Sequence, residues 1–321
     1  MKKQIRAFME DKFPVLFYRL LRVKRHMYEN VRKKMSLEEI KADDARMYFE
    51  HTGHHVNWDE PAAYTEKMQL EKLFHNYPLK TMLTDKYRAR EWVAKKVGEK
   101  YLVPLCGKGV YDSPYDIDFS ELPNQFVIKT NLGSGDATIV RDKSLLSAKD
   151  IRRIKAKINY YLHFDFSWLG YEFHYSDIEP KVLVEQLIEC EDEDLPDYKF
   201  LCFDGKPLYC WVDKGRYHNH KRNIYDMDWN LQSWNQRDYG NYEGVIDKPE
   251  KFDEMVEIAT KLAEGFQHVR VDLYNVKGKI YFGEMTFTNG MGFEPIIPYE
   301  ADLMLGKLWN LDFQSGFDQR K

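Results

Sequence analysis

The chain has 321 residues, 43% of them hydrophobic, which is enough for a sizeable core and more than one average domain needs, so two or three lobes sharing a core are expected. Its 48 basic and 52 acidic residues leave a net charge of −4, too even to form a polycation for nucleic acid or to hold a chain disordered. No run approaches the roughly 18 apolar residues of a spanning helix. Cys106, Cys190, Cys202 and Cys210 lack CxxC spacing and no secretory leader opens the sequence, so a reduced, cytoplasmic setting is expected.

The first 34 residues form a unit of their own, with eleven Lys and Arg against Glu10, Asp11 and Glu29, a net +8. Phe13, Val15, Leu16, Phe17, Leu20, Leu21 and Val23 are interleaved with those charges. The pattern fits a basic amphipathic helix, and two dispositions stay open. Either the apolar stripe packs on the body and leaves a solvated basic face, or the segment lies on the anionic inner face of a membrane.

From about 36 to 83 the spacing is helical, with Pro61 and Pro78 as breaks. A further helix is expected over 84–101, opening at a Thr84 N-cap and closing at Gly98. "YLVPL" (101–105) and a turn-rich stretch lead to a strand at 126–128, a loop of Gly133, Ser134 and Gly135, and a returning strand at 137–142. An amphipathic helix at 145–162 and a buried strand at 181–188 precede an acidic turn. The second half opens with two strands around Asp204 and Gly205, then runs through an irregular stretch rich in Tyr, Trp and Asn. A helix over 249–266 follows, and then a hairpin turning at Lys277 and Gly278. The class is α+β with antiparallel sheets, divided into a helical N-terminal region (1–83), a first lobe with the glycine loop (84–188) and a second lobe (189–321).

Where bulk disappears at Gly133, Ser134 and Gly135, a phosphate chain can approach backbone N–H groups, and Lys129 and Lys86 can meet its oxygens. On the last hairpin, Asp272 and Glu284 fall on adjacent strands among Val271, Leu273, Phe282 and Met285. Unpaired carboxylates are costly in such surroundings, and a cation between them relieves that cost; magnesium, with its preference for hard oxygen ligands, fits. Alternation equally permits acids that face solvent. Arg270, two residues before Asp272, shares its sheet face, which completes a set suited to phosphoryl transfer.

The ordered blocks DK (85–86), "VIKTNLGSG" (127–135), "VEQLI" (184–188), "DYKF" (197–200), "VRVD" (269–272) and "GEMTFTNGMG" (283–292) resemble the ATP-grasp superfamily. "YTEKMQLEKLFHNYPLKTMLTDKYRAREWV" and "DIDFSELPNQFVIKTNLGSGD" are similar to its TupA-like branch, associated with teichuronopeptide and other cell-surface polysaccharide biosynthesis. The resemblance covers about residues 60 to 300. It implies an ATP-grasp fold of two α+β lobes clamping ATP; the mainly helical region read ahead of Asp85 departs from the family, whose usual preceding domain alternates strands and helices. It also implies that Lys86 and Lys129 contact phosphates, that Gly133, Ser134 and Gly135 cover the triphosphate, that the backbone at Glu185 and Leu187 reads adenine, and that Asp197 takes the ribose hydroxyls. Lys199 matches a basic position near phosphates or acceptor, Asp272 and Glu284 match magnesium ligands, Arg270 an arginine on the transferred oxygens, and Gly290 a backbone donor near the reacting carboxylate. The third metal position, usually Asn, is Thr286 here, with Asn289 nearby.

The chemistry so implied uses ATP and Mg2+ to activate a uronic-acid or glutamyl carboxylate of a saccharide as an acylphosphate. An amine, from an amino acid or amino sugar, then forms an amide. The stretch 215–242 suits sugar recognition with Arg216 and Arg222 as carboxylate clamps, or packs simply through its aromatic rings. Rival readings are a glycosyltransferase using "DMD" (226–228) or "DID" (116–118), a kinase sharing the same motifs, and an ATP-binding scaffold. "HTGHH" (51–55) lacks the further ligands of a zinc site, and "HNH" (218–220) lacks a nuclease's basic surround.

Overall fold

The computed structural model describes residues 2–190, 195–215, 220–236 and 239–311. It opens with α1 (Lys2–Lys12) and α2 (Pro14–Arg32), divided at Phe13, where Pro14 begins the second helix. α3 (Leu37–Thr52) starts on a capping box of Ser36 and Glu39. α4 (Tyr64–Phe74) and α5 (Pro78–Thr84) follow, the latter with Pro78 in its first turn. The helix expected from Thr84 is shorter, α6 (Ala89–Lys96). Thr84 closes α5 and its hydroxyl bonds back to the Lys80 carbonyl at 2.9 Å, whereas the Asp85 carboxylate accepts the backbone N–H groups of Tyr87 and Arg88. Among the described residues no helix is long and apolar enough to cross a membrane.

The first sheet contains β1 (Leu105–Tyr111), β2 (Phe126–Thr130), β3 (Thr138–Val140) and β4 (Val182–Gln186), antiparallel in the order β1-β4-β2-β3. β1 occupies a stretch expected to be turns, and its pairing with β4 shifts between Leu105 and Val110. α7 (Ala148–Leu162), capped by Ser147, lays Ile154, Ile158 and Leu162 on Phe126, Ile128, Val182 and Val184; the single turn α8 (Ser167–Gly170) comes next.

The second sheet begins with β5 (Asp197–Phe203) and β6 (Lys206–Lys214), joined at Asp204 and Gly205. Both turn residues have positive φ, 47° and 73°, which matches a tight hairpin to the strands' twist. β7 (Lys221–Asp226), β8 (Asn235–Gln236), α9 (Phe252–Ala263), β9 (His268–Val276), β10 (Lys279–Thr286), β11 (Ile296–Ile297) and α10 (Tyr299–Leu308) complete the chain. The five-stranded order is β10-β9-β5-β6-β7, and β11 pairs with β8. One face buries Phe200, Val212, Val271 and Leu273 under Met255, Ile258 and Leu262 of α9. The other face is split: Leu201, Phe203, Trp211 and Ile224 lie under α4 and α10, and the rest is charged.

α4 also grips the turn after β10. Gln69 donates to the Gly292 carbonyl at 2.9 Å, and Lys72, fully buried and 2.6 Å from Asp44, donates to the Met291 carbonyl at 3.0 Å. Beside them Glu172 accepts the Thr288 hydroxyl at 2.5 Å. Burial pushes the Glu172 carboxyl up to about 7, against the pull of the Thr288 bond, Lys72 and Lys80. Because the folded value lies above the unfolded one of about 4.3, this group's contribution is full below that pH and is lost as pH rises through 7. Glu172→Gln should therefore match wild type at pH 4.5 and exceed it at pH 8 by on the order of 1–3 kcal/mol in thermal unfolding. Comparing variant with wild type at each pH removes the parallel titration of Asp44, whose carboxyl burial raises to about 6.

Candidate active site

On the first sheet, Val127 lies opposite Glu185 and Lys129 opposite Leu183, so Lys129 and Glu185 are diagonal neighbours on one face. The Lys129 ammonium is 2.6 Å from Glu185, and Arg90 of α6 reaches the same carboxylate at 3.5 Å. The side chain of Glu185 is therefore engaged with two cations, and Leu187 sits half-buried just past β4. Arg90, missed in the sequence, stands four residues after Lys86, the spacing that puts two side chains on one helical face.

Between β2 and β3, Gly133 presses on Phe166 at φ 33°; a Cβ there would come within 2.1 Å of the ring, so no other residue fits. Ser134 and Gly135 are exposed, and Asp136 ties the loop down by accepting the Thr130 N–H. Lys86, in the turn before α6, donates to the Gly133 carbonyl and lies 3.3 Å from Glu284 on the second sheet. One ammonium thus joins the glycine loop to the far strand.

Alternation gathers the other groups. Asp197 is opposite Asp213, Lys199 opposite Asp272, Asp213 opposite Arg222, Asp272 opposite Glu284, and Arg270 opposite Thr286, so all share one face. The Lys199 ammonium bonds Asp197 and lies 3.2 Å from Asp272 and 3.7 Å from Asp213. Arg270 takes both Asp272 oxygens at 2.7 and 2.8 Å and reaches Glu284 at 3.3 Å and the Thr286 hydroxyl at 3.1 Å.

Strict alternation would send Glu284 to the same side as Phe282, which is core. Instead the register slips: Phe282 pairs with Leu273, Glu284 with Asp272, and Met285 returns to Val271 in the core. Gly283 is the extra residue of a β-bulge, and that one residue turns Glu284 onto the charged face.

Burial disfavours the Glu284 charge, yet Lys86, Arg270 and Lys199 outweigh it and hold the carboxyl down to about 2. Asp213 is likewise held well below the usual range by Arg222, His220 and Lys199 against its burial. Lys199 and Arg270 are raised, since Asp197 and Asp272 more than offset burial for the first, and Asp272 and Glu284 for the second. Four cations, Lys86, Lys199, Arg222 and Arg270, therefore face four carboxylates, Asp197, Asp213, Asp272 and Glu284.

The oxygens that would serve a metal are the Asp272 and Glu284 carboxylates and the Thr286 hydroxyl, all of them paired here with Arg270, Lys199 or Lys86, cations that a bound metal would partly replace. These are hard oxygens in the number magnesium takes when phosphates complete its shell. Among the described residues no cluster of three or more His, Cys, Asp or Glu could hold a metal unaided. Asn289 does not replace Thr286, because it is 4% exposed and accepts the Tyr64 hydroxyl at 2.8 Å in the interior. Gly290 lies in the same turn after β10, beside Glu294.

Arg222 departs from its expected role as a substrate clamp. It takes both Asp213 oxygens at 2.6 and 2.9 Å, bonds Gln236, and stacks over Trp211 and Tyr239, because a buried guanidinium needs its charge matched inside the protein. Arg216, His218 and Asn219 lie outside the described residues. In both DxD stretches an acid caps its own turn: Asp226 accepts from the Asp228 and Asn230 N–H groups, and Asp118 from Ser120. His51, His54 and His55 stack on Phe293, Tyr299 and Phe49.

A sequence model described as TupA-like ATPgrasp matches residues 66–310, most of the chain. The protein belongs to the TupA-like ATP-grasp family. No curated protein matches it significantly. Solved structures similar to this ATP-grasp chain include D-alanine–D-alanine ligase from Bacillus anthracis complexed with ATP, at 17% identity and TM-score 0.35, covering 64% of this chain and 53% of that one. L-amino acid ligase from Bacillus licheniformis is 16% identical with TM-score 0.38, covering 68% and 44%. The ATP-grasp ligase PsnB, complexed with a variant precursor, Mg and ADP, is 12% identical with TM-score 0.38, covering 72% and 60%. The chain thus spans a little over half the length of the first of these ligases. As the helical spacing ahead of Asp85 leads one to expect, and in departure from the alternating strands and helices of the usual preceding ATP-grasp domain, the described residues there are helices and turns.

Proposed function

We propose that the protein is an ATP-dependent carboxylate–amine ligase of cell-surface polysaccharide biosynthesis, working with magnesium. The observation that supports this reading is Lys86, which touches both the glycine-loop carbonyl of Gly133 and Glu284. A cation there serves a phosphate chain that runs from the loop toward the carboxylates.

In this reading Lys86 and Lys129 meet phosphate oxygens, Gly133, Ser134 and Gly135 cover them, and Asp197 with the backbone at Glu185 and Leu187 holds the nucleoside. Asp272, Glu284 and Thr286 hold the metal, which when bound offsets negative charge on the phosphates. An acceptor carboxylate attacks the γ-phosphorus of ATP, the bond to the bridging oxygen breaks with its electron pair going to ADP, and an acylphosphate forms. The amine attacks the acyl carbon, the carbon–oxygen bond breaks, inorganic phosphate leaves, and the amine gives its surplus proton to solvent. Arg270 and Lys199 face the oxygens on which charge builds, and Gly290 offers its N–H to the carboxylate. No protein nucleophile is required, which agrees with Cys202 and Cys210: both are buried, and burial pushes their thiols up.

The acceptor is a uronic-acid or glutamyl saccharide, and the amine an amino acid or amino sugar. The test is release of ADP and phosphate from Mg-ATP over a panel of uronic-acid sugars, with and without amino acids, followed by product mass. A mass equal to the two partners less water supports the ligase, a gain of phosphate would make it a kinase, and the absence of ATP turnover with every pair would overturn both. Glu284→Gln should lower turnover about a hundredfold while equilibrium binding of ATP changes only severalfold.

A further inference from the structure

We propose that the outward face of α2 docks the protein on an anionic lipid surface. The helix has two apolar sides, and the fold uses one. Toward the body, Phe17 and Tyr18 are buried, with Tyr18 packed on Tyr160 of α7. Arg32, 2% exposed, pins the helix by donating to the Trp168 and Leu169 carbonyls at 2.8 and 2.6 Å and pairing with Asp43 at 2.8 Å. The orientation of α2 is thereby set from within.

On the opposite side Leu16, Leu20, Val23, Met27 and Val31 fall within an arc of about 80° at the helical repeat. They are 50, 55, 60, 66 and 62% exposed. Phe8 and Phe13, 56 and 52% exposed with their rings 6.4 Å apart, extend this surface toward α1. Single exposed apolar residues are ordinary, but a continuous stripe is a contact surface.

Charge decides the occupant. All three acids of the segment are taken up by the protein itself: Glu10 accepts the Tyr18 hydroxyl at 2.5 Å, Asp11 pairs with Lys149 at 2.6 Å, and Glu29 is buried beside Arg25. Arg19 and Arg22 flank the stripe on one side and Lys24 on the other, all exposed and with no acid partner among the described residues. A second copy seated through the same face would bring these cations against their own counterparts. Anionic headgroups neutralise them while the acyl region accepts the stripe. The first 34 residues carry +8 in a chain of net −4, so the remainder carries −12 and is repelled from the same surface. That asymmetry leaves the α2 face as the side that approaches.

The experiment is sedimentation of the full chain with vesicles of phosphatidylglycerol and phosphatidylcholine, compared with phosphatidylcholine alone, while circular dichroism confirms folding. Binding should favour the anionic vesicles and weaken steeply as ionic strength rises from about 0.05 to about 0.5 M. Removing three charges in Arg19→Gln/Arg22→Gln/Lys24→Gln should cut the partition coefficient on the order of a hundredfold. Leu20→Ser/Met27→Ser, with every charge kept, should weaken it as well. Equal binding to neutral vesicles, or none to either, would overturn the proposal. So would a dimer in sedimentation velocity that Leu20→Ser/Met27→Ser dissociates in a chain that ignores lipid, since the face would then belong to a second copy.

Discussion

Lys199→Met should cost about 3–5 kcal/mol of stability in urea unfolding at pH 7, the range seen when one partner of a buried ion pair is removed. The ammonium stands on the central strand β5 with carboxylates on three sides, Asp197 on its own strand, Asp272 on β9 and Asp213 on β6, and its side chain is 6% exposed. Arg270 and Arg222 each grip one of these acids, so removing Lys199 withdraws part of the compensation of Asp272 and Asp213 together with its own bond to Asp197. The pH dependence supplies a second readout. Lys199 has its folded pKa raised, so its contribution is present below the unfolded value near 10.4 and is lost as pH rises above it. Asp213 has its folded pKa lowered, so its contribution is present above about 3.9 and is lost as pH falls. The deficit of the variant should accordingly be greatest at neutral pH and shrink on acidification, as the stranded carboxylates take up protons. A loss under about 1 kcal/mol at pH 7 would mean that water, and not Lys199, compensates these acids.

The parts of this site that lie close in sequence were legible before the fold was known. Arg270, Asp272 and Glu284 sit on one hairpin whose turn is marked by Lys277 and Gly278, so strand pairing alone brings them together. The same reasoning could not place Asp213, because nothing local says that β6 adds to β5 with Asp213 opposite Asp197. It also gave no account of how Glu284 escapes the side of Phe282. The signal was present, since an isolated glycine inside a strand pattern marks a bulge, and Gly283 is one. Thr84 drew the N-cap assignment by residue type, but the adjacent Asp85 has the carboxylate that takes two N–H groups at once. The aromatic and amide-rich stretch 215–242 leaves open whether it binds sugar, with Arg222 as a clamp, or packs, and nothing local in it says that β7 carries Arg222 beneath Tyr239 onto Asp213. For α2, packing on the body and lying on an anionic membrane surface are alternatives only for a helix with one apolar stripe, and this helix has apolar residues on both sides.

Arg270→Lys should separate geometry from charge at the end of the site where the proposed phosphoryl transfer would occur. The guanidinium takes two Asp272 oxygens through a planar fork and with the same Nη2 reaches Glu284 and Thr286, four contacts that fix one orientation. Lysine keeps the positive charge, so Asp272 remains compensated by it and by Lys199 at 3.2 Å, and urea unfolding should show a loss of about 1–2 kcal/mol. An ammonium is a point donor on a flexible stem and cannot hold Asp272, Glu284 and Thr286 at once. ATP turnover should therefore fall about a thousandfold, since an arginine aimed at a transferring phosphoryl group contributes at least that much. The two readouts must part company for the argument to stand. Turnover within tenfold of wild type would show that charge alone suffices and that Arg270 takes no part in orienting the reacting oxygens. A stability loss beyond about 3 kcal/mol accompanying the loss of turnover would make Arg270 a structural tie between β9 and β10. Loss of turnover in a folded protein is the result expected, because Glu284 reaches this arginine only through the extra residue at Gly283.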